Sequence, residues 1–226
     1  MSYNLLNLNR LHGAMMDEPC VILGNGPSLG DLTDDHCKQI NKYFSIGLNN
    51  ILQEKRLKPT CWLGVDKRAW DKWMPHLRRR KMIKFGDMRV KCDDGYVVTT
   101  AQEKFRDMET TPEHPIIYAA MSHGEAAQLA YWAGCNPIIY VGVDCCYRDN
   151  QTSFYGLNPF HNSSFLDKCE RDLIAAMSLP VEHYVCSEDA RLDVEMLEQV
   201  FQQYPPTRQK HYDVLQDALR DPSLIA

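Results

Sequence analysis

The sequence has no Cys-x-x-Cys, no apolar run approaching the ~20 residues of a membrane-spanning helix, and no basic N-terminal segment leading into an apolar signal core. The first absence, with an odd total of nine cysteines at irregular spacing, argues against a disulfide framework or a zinc module. Cys20, Cys61 and Cys135 lie in or beside apolar runs and read as small buried hydrophobes, and the vicinal pair Cys145-Cys146 reads as packing. The other two absences point to a cytoplasmic chain with no membrane span. Internal repeats and low-complexity tracts are missing too. With a net charge of −5 the chain has no global attraction for nucleic acid. What is present is an ordinary globular composition, 44% hydrophobic and 24% charged over 226 residues, enough for one α/β domain with a full core.

The stretch Cys20-Val-Ile-Leu-Gly-Asn-Gly-Pro-Ser-Leu29 is the most informative. Val21, Ile22 and Leu23 suit a strand buried on both faces, while Gly24 and Gly26 allow a sharp turn and a close backbone approach to a ligand. Pro27 presets φ for a first helical turn, and Ser28 offers a hydroxyl beside free amide donors, so the turn reads as a phosphate cradle. Leu29 stands where the dinucleotide fingerprint needs its third glycine, and no Lys-Ser/Thr ending makes it a P-loop. A tight strand-to-helix turn without a ligand is the alternative.

After a polar stretch to Tyr43, a second strand ends in Asn49-Asn50, either a turn device or a ligand contact. Lys58 to Asp66 is a third strand, and Asp66 either faces the crevice of an open α/β sheet or caps the next helix. Residues 67–91 are rich in Lys and Arg around Trp70 and Trp73. That pattern serves phosphate contact and base stacking, or else a solvated helix face with its Trp residues in the core. Met82–Phe85 and Tyr96–Thr100 read as short strands around an Asp93-Asp94-Gly95 turn, and Ala101–Glu113 as a polar loop or irregular helix. A strand at Pro115–Ala119 is followed by a helix from Ser122, with Ser122 and Glu125 as a capping box and Gly134 as its C′ residue. A buried strand, Asn136–Asp144, completes a βαβ unit. The loop Cys145–Ser164, rich in Tyr, Asn, Gly and His, leaves its carboxyl end, where function concentrates. Helices at Phe165–Met177 and Val194–Tyr204 flank a last strand at Val181–Cys186, and Pro205-Pro206 precedes a final amphipathic segment.

The expected fold is α/β: a Rossmann-like, mostly parallel sheet with helices on both faces. Residues 1–19 form an N-terminal arm docked on the domain or on a partner subunit, 20–204 the nucleotide-binding domain with a variable insertion at 67–114, and 205–226 a helical tail.

Ile22 to Leu29, Ser45 to Asn50, Lys58 to Asp66 and Tyr140 to Tyr147, in this order and spacing, resemble the 6-hydroxymethylpterin pyrophosphokinase-like (MptE-like) family, whose fold is related to that of bacterial CMP-sialic acid-dependent sialyltransferases. By the sialyltransferase branch, the resemblance implies that Asn25, Asn49 and Ser122 hold the nucleotide together with Gly24, Gly26, Ser28 and Asp144. It further implies that Tyr147 and Tyr155 contact the leaving phosphate and that His161 is the general base. His123 replaces a glycine of that branch. The implied activity is sugar transfer from a CMP- or UDP-linked donor to an acceptor hydroxyl of a glycan, a small molecule or a hydroxymethylated nucleic-acid base, with no metal. By the other branch, the resemblance implies ATP-dependent diphosphoryl transfer to a pterin, with Mg²⁺ on Asp66 and Asp144. A non-catalytic nucleotide-binding module is the third reading. Nucleic-acid contact through 67–91 is the less favoured partner, and a homo-oligomer is compatible with the sequence.

Overall fold

The computed structural model describes residues 8–65, 67–78, 80–87, 96–98, 101–104, 111, 116–157, 163–207 and 209–220. Short apolar runs rich in β-branched and aromatic residues form the inner strands β1 (Cys20–Leu23), β2 (Phe44–Leu48) and β3 (Cys61–Gly64), with α1 (Asp34–Ile40) between the first two. Then come α2 (Lys67–Leu77), β4 (Ile83–Asp87), β5 (Tyr96–Val98), β6 (Ala101–Lys104), β7 (Ile117–Tyr118) and α3 (Ser122–Trp132). The chain ends with β8 (Ile138–Val141), α4 (Ser163–Met177), β9 (His183–Val185), the hairpin β10 (Ser187–Glu188) and β11 (Arg191–Leu192), α5 (Val194–Gln203) and α6 (His211–Arg220). Among the described residues, no helix is long and apolar enough to cross a membrane.

Seven strands form one sheet in the order β5-β4-β3-β2-β1-β8-β9, and every neighbouring pair is parallel. The fold is the expected Rossmann-like one. From β1 the chain winds outward to β5, then returns to place β8 on the other side of β1. The strand order therefore reverses between β1 and β8, and open α/β sheets bind ligands at the carboxyl ends of such a pair.

Alternation along β1 sends Cys20 and Ile22 to one face and Val21 and Leu23 to the other, and a separate apolar layer covers each. The first layer holds Ala126, Ala127 and Ala130 of α3 with Leu215 and Leu219 of α6; the second holds Trp62, Trp70 of α2 and Leu197 of α5. The three alanines let α3 sit close to the sheet, as the sequence predicts.

Several boundaries and roles differ from the sequence reading. Ala101–Lys104, expected as loop or helix, is a strand paired with β7. Residues 67–114, set apart by sequence as an insertion, contribute α2, β4 and β5 to the main architecture. The segment after the glycine turn is a 3-10 helix, Pro27–Asp31, and the α-helix starts only at Asp34, where Thr33 caps it. The Asp93-Asp94-Gly95 turn lies outside the described residues.

Both ends of the described chain dock on the domain itself. The Leu8 carbonyl accepts from the Trp132 indole N–H at 2.7 Å, and Arg10 donates to the Leu219 carbonyl at 2.9 Å. Glu18, fully buried just before β1, accepts from the Thr207 amide at 3.1 Å and from its hydroxyl, and lies 2.8 Å from the His211 ring. Removing one partner of a buried hydrogen-bonded cluster leaves the others unsatisfied. Glu18→Ala is therefore expected to lower unfolding stability by about 3 kcal/mol in urea titrations, with α6 becoming protease-sensitive first. A variant as stable as the parent would refute this clamp.

Candidate functional site

The carboxyl ends of β1, β2 and β8 and the N-terminus of α3 converge at the switch point. The glycine turn enters it under a close packing constraint. A Cβ on Gly24 would overlap the Gly142 carbonyl oxygen, and one on Gly26 would overlap the Asp144 carboxylate. Both glycines are thus required by the approach of the turn to the chain leaving β8.

Sequence reading left the turn's amides free for a phosphate, and the structure corrects this. The Gly24 amide donates to the Val141 carbonyl (2.8 Å), Gly26 to Gly142 (2.7 Å) and Leu29 to Gly26 (3.2 Å). The Ser28 amide donates to Asp144 Oδ2 at 2.8 Å and its hydroxyl to Oδ1 at 2.5 Å. The anion at this turn is the chain's own Asp144. Burial raises the Asp144 pKa, and the two Ser28 bonds, a Ser187 side-chain bond and the Arg148 charge oppose the rise.

Of the expected residues, Asn49 and Ser122 touch, and Asn25 bonds to the residue before Asn49. Asn25 donates to the Leu48 carbonyl at 3.0 Å, and Asn49 donates to the Ser122 hydroxyl at 3.1 Å. Asn49 adopts φ 43°, a left-handed conformation that asparagine tolerates, and its carbonyl accepts from the Trp62 indole at 2.8 Å. It is therefore a turn device, and its side chain also reaches the site. The amide oxygens of Asn25 and Asn49 are buried with no hydrogen-bond partner. Such orphans are rare in folded proteins and each costs about 1–3 kcal/mol, so two at the ends of neighbouring strands mark a place for donors.

Ser122 does not form the expected capping box. The helix begins at Ser122 itself, after Met121, whose amide donates to Asp172 of α4 at 2.7 Å. The cap comes from fifty-one positions away in sequence, which frees the Ser122 hydroxyl for Asn49. Gly134, at φ 88°, ends the helix as predicted.

The loop after β8 is seated on the glycine turn. The Phe154 amide donates to the Asn25 carbonyl at 2.9 Å. Arg148 pairs with Asp31 at 2.7 Å, and the same Asp31 oxygen accepts from the Leu192 amide at 3.0 Å, which joins turn, loop and the β10–β11 hairpin. Neither Asp31 nor Arg148 stands in a motif; the only sequence signal was Arg148's place beside Tyr147. The two tyrosines lie on different sides of the loop. Tyr147 adjoins Cys169 of α4, and burial raises its pKa. The Tyr155 hydroxyl is buried beside the Glu54 peptide without reaching hydrogen-bond geometry, and burial raises its pKa as well. His161 and Asp66 lie outside the described residues.

In the basic segment, Trp70 is buried against Trp62, and Trp73 donates to Asn50 at 3.0 Å. Lys67 pairs with Asp71 and Lys81 with Asp213. Trp70 and these ion pairs have the features of a solvated helix with its rings turned inward. Among the described residues, no three His, Cys, Asp or Glu side chains gather as a metal site.

His123, at the glycine position of the resemblance, is buried and donates from Nε2 to the Cys169 carbonyl of α4 at 3.1 Å. Burial pulls its pKa from 6.5 down to about 4 despite that bond. The unfolded chain then takes up a proton below pH ~6.5 that the folded chain refuses until about pH 4. Stability is accordingly expected to hold above pH 6.5 and to fall by about 3 kcal/mol as pH drops to 4. The part of this slope due to His123 should vanish in His123→Gln, and urea titrations across that range measure it. An unchanged slope would show that His123 titrates normally.

No family model matches the sequence, and no curated protein does. Among solved structures the chain is similar to the MAf glycosyltransferase from Magnetospirillum magneticum AMB-1, at 15% identity and a TM-score of 0.45. The match covers 99% of this chain and 46% of that one, so the chain spans less than half the length of that protein.

Proposed function

We propose that the chain is a nucleotide-sugar-dependent, sialyltransferase-like glycosyltransferase that moves a sugar from a CMP- or UDP-linked donor to an acceptor hydroxyl. The observation that carries this reading is the pair of buried, unpartnered amide oxygens of Asn25 and Asn49 beside Ser122 at the switch point. Acceptors in that position favour a ligand bearing N–H and O–H groups, and the base and ribose of a nucleotide supply both.

In the proposed reaction the acceptor oxygen attacks the anomeric carbon while the bond from that carbon to the phosphate oxygen breaks, and the nucleotide leaves with the electron pair. His161, the base implied by the resemblance, takes the acceptor's proton, a task suited to a pKa near 6.5. Tyr147 donates its hydroxyl proton in a hydrogen bond to the leaving phosphate. Tyr155, with its hydroxyl turned to Glu54, seats the loop that carries them. The pyrophosphokinase reading would use Asp144 on Mg²⁺, but both oxygens of that carboxylate are engaged by Ser28.

Incubation with CMP-, UDP- and GDP-sugars and candidate hydroxyl acceptors should release CMP or UDP with or without EDTA. Asn25→Ala is expected to lower kcat/KM about ten-fold or more, and His161→Ala to lower kcat ~10²–10⁴-fold. EDTA-sensitive AMP release from ATP with a hydroxymethylpterin would overturn the proposal in favour of the pyrophosphokinase. Absence of turnover with nucleotide-dependent thermal stabilisation would overturn it in favour of a binding module.

A further inference from the structure

The chain leaving β8 is clamped twice to the 3-10 helix Pro27–Asp31, on either side of Tyr147. Before it, the Asp144 carboxylate is seated on the Ser28 amide and hydroxyl. After it, Arg148 donates from Nη1 to Asp31 Oδ2 at 2.7 Å and to the Ala190 carbonyl at 3.3 Å, and the same Asp31 oxygen accepts from the Leu192 amide at 3.0 Å. Beyond the second clamp the loop is tied to itself. Arg148 and Gln151 exchange both backbone bonds, at 3.2 and 2.7 Å, across Asp149 and Asn150, which stand in the left-handed region at φ 50° and 62°. Aspartate and asparagine tolerate that region, and two in succession make a tight hairpin turn. Farther along, the Phe154 amide donates to the Asn25 carbonyl, and the Phe154 ring and the Arg148 guanidinium both lie alongside Gly30.

We propose that Asp31 and Arg148 are positioning residues, whose ion pair latches the loop so that Tyr147, the residue before Arg148, meets the leaving phosphate. The inference deepens the proposed glycosyl transfer and rests on that reading. Residues 145–147 form a short bridge between the two clamps, so the place of Tyr147 is set from both ends. Each clamp joins the loop to the turn that carries Asn25. The latch therefore fixes Tyr147 relative to the wall on which the nucleotide binds.

The two clamps differ in what their loss would do. Ser28 is fully buried, and its contact with Asp144 is built into the packing of Gly24 and Gly26, so breaking it disturbs the wall itself. The Arg148 and Asp31 side chains are 19% and 31% exposed, and an ion pair that water reaches contributes little to folding. Removing it frees one end of the Tyr147 bridge and leaves the sheet, Asn25 and Asn49 in place. A hydrogen-bond donor displaced from a developing charge costs rate and spares the binding of base and ribose. The signature of the latch is thus lost turnover with nucleoside binding retained.

Nucleotide release by the full-length protein from CMP- and UDP-sugars, with cytidine and uridine as binding probes, tests the latch. Arg148→Ala and Asp31→Ala should each lower kcat by about ten- to a hundred-fold, with the Kd of the nucleoside unchanged. Arg148→Lys, which keeps one donor for Asp31, should recover most of the loss. Tyr147→Phe should slow the parent but add little to Arg148→Ala, because the two changes remove one interaction. An unchanged kcat in Arg148→Ala, a loss that adds fully to that of Tyr147→Phe, or nucleoside binding lost in step with turnover would overturn the latch and leave glycosyl transfer standing. A parent chain that releases no nucleotide from any of these donors would overturn both.

Discussion

The contact on which the rest of the structure depends is the buried Asp144 carboxylate seated on the Ser28 amide and hydroxyl. A carboxylate at this depth is costly unless it is hydrogen-bonded, and Ser28 supplies the bonds while Arg148 supplies a nearby charge. To reach Ser28, the chain leaving β8 must press against the turn leaving β1, and this leaves no room for a side chain at Gly24 or Gly26. The same closure settles the Gly24, Gly26, Ser28 and Leu29 amides on internal acceptors. The amide oxygens of Asn25 and Asn49 are among the polar groups left unpaired there. A pattern that reads in sequence as a cradle for anions becomes, in three dimensions, a wall that asks for donors.

From that wall a chain of contacts runs into the body of the protein. Asn49 holds Ser122 at the first turn of α3, and the adjacent His123 holds the Cys169 carbonyl on α4. The loop between β8 and α4 is anchored at Arg148 and Phe154 to the glycine turn. The residues that would bind a nucleotide and those that position the loop therefore share one hydrogen-bonded frame. A neutral His123 is part of that frame, so acid weakens it where α3 meets α4.

What was legible in the sequence was whatever local chemistry decides. Val21 to Leu23 and Ile138 to Val141 are short runs of apolar, mostly β-branched residues bounded by glycines or turns, and such runs have few alternatives to a buried parallel strand. The helix of α3 followed from its alanines and Gly134. Its capping did not, because the Met121 amide is taken by Asp172 on another helix, and nothing near Ser122 announces that. Ala101 to Lys104 escaped because a strand with polar side chains carries no apolar period. The Asp31–Arg148 pair unites residues remote in sequence, where only the folded chain shows the partner. Asn25, Asn49 and Ser122 came from a family resemblance, and the fold joins Asn49 to Ser122 and Asn25 to the neighbouring Leu48.

A crystal structure of the protein with CMP, and another with UDP, tests the donor-seeking wall most directly. The predicted result is a nucleotide at the switch point whose base or ribose donors lie within hydrogen-bond distance of Asn25 Oδ1 and Asn49 Oδ1, with the Ser28–Asp144 contact intact. A phosphate bound on the Ser28 amide with Asp144 displaced, or a nucleotide bound away from both asparagines, would contradict it.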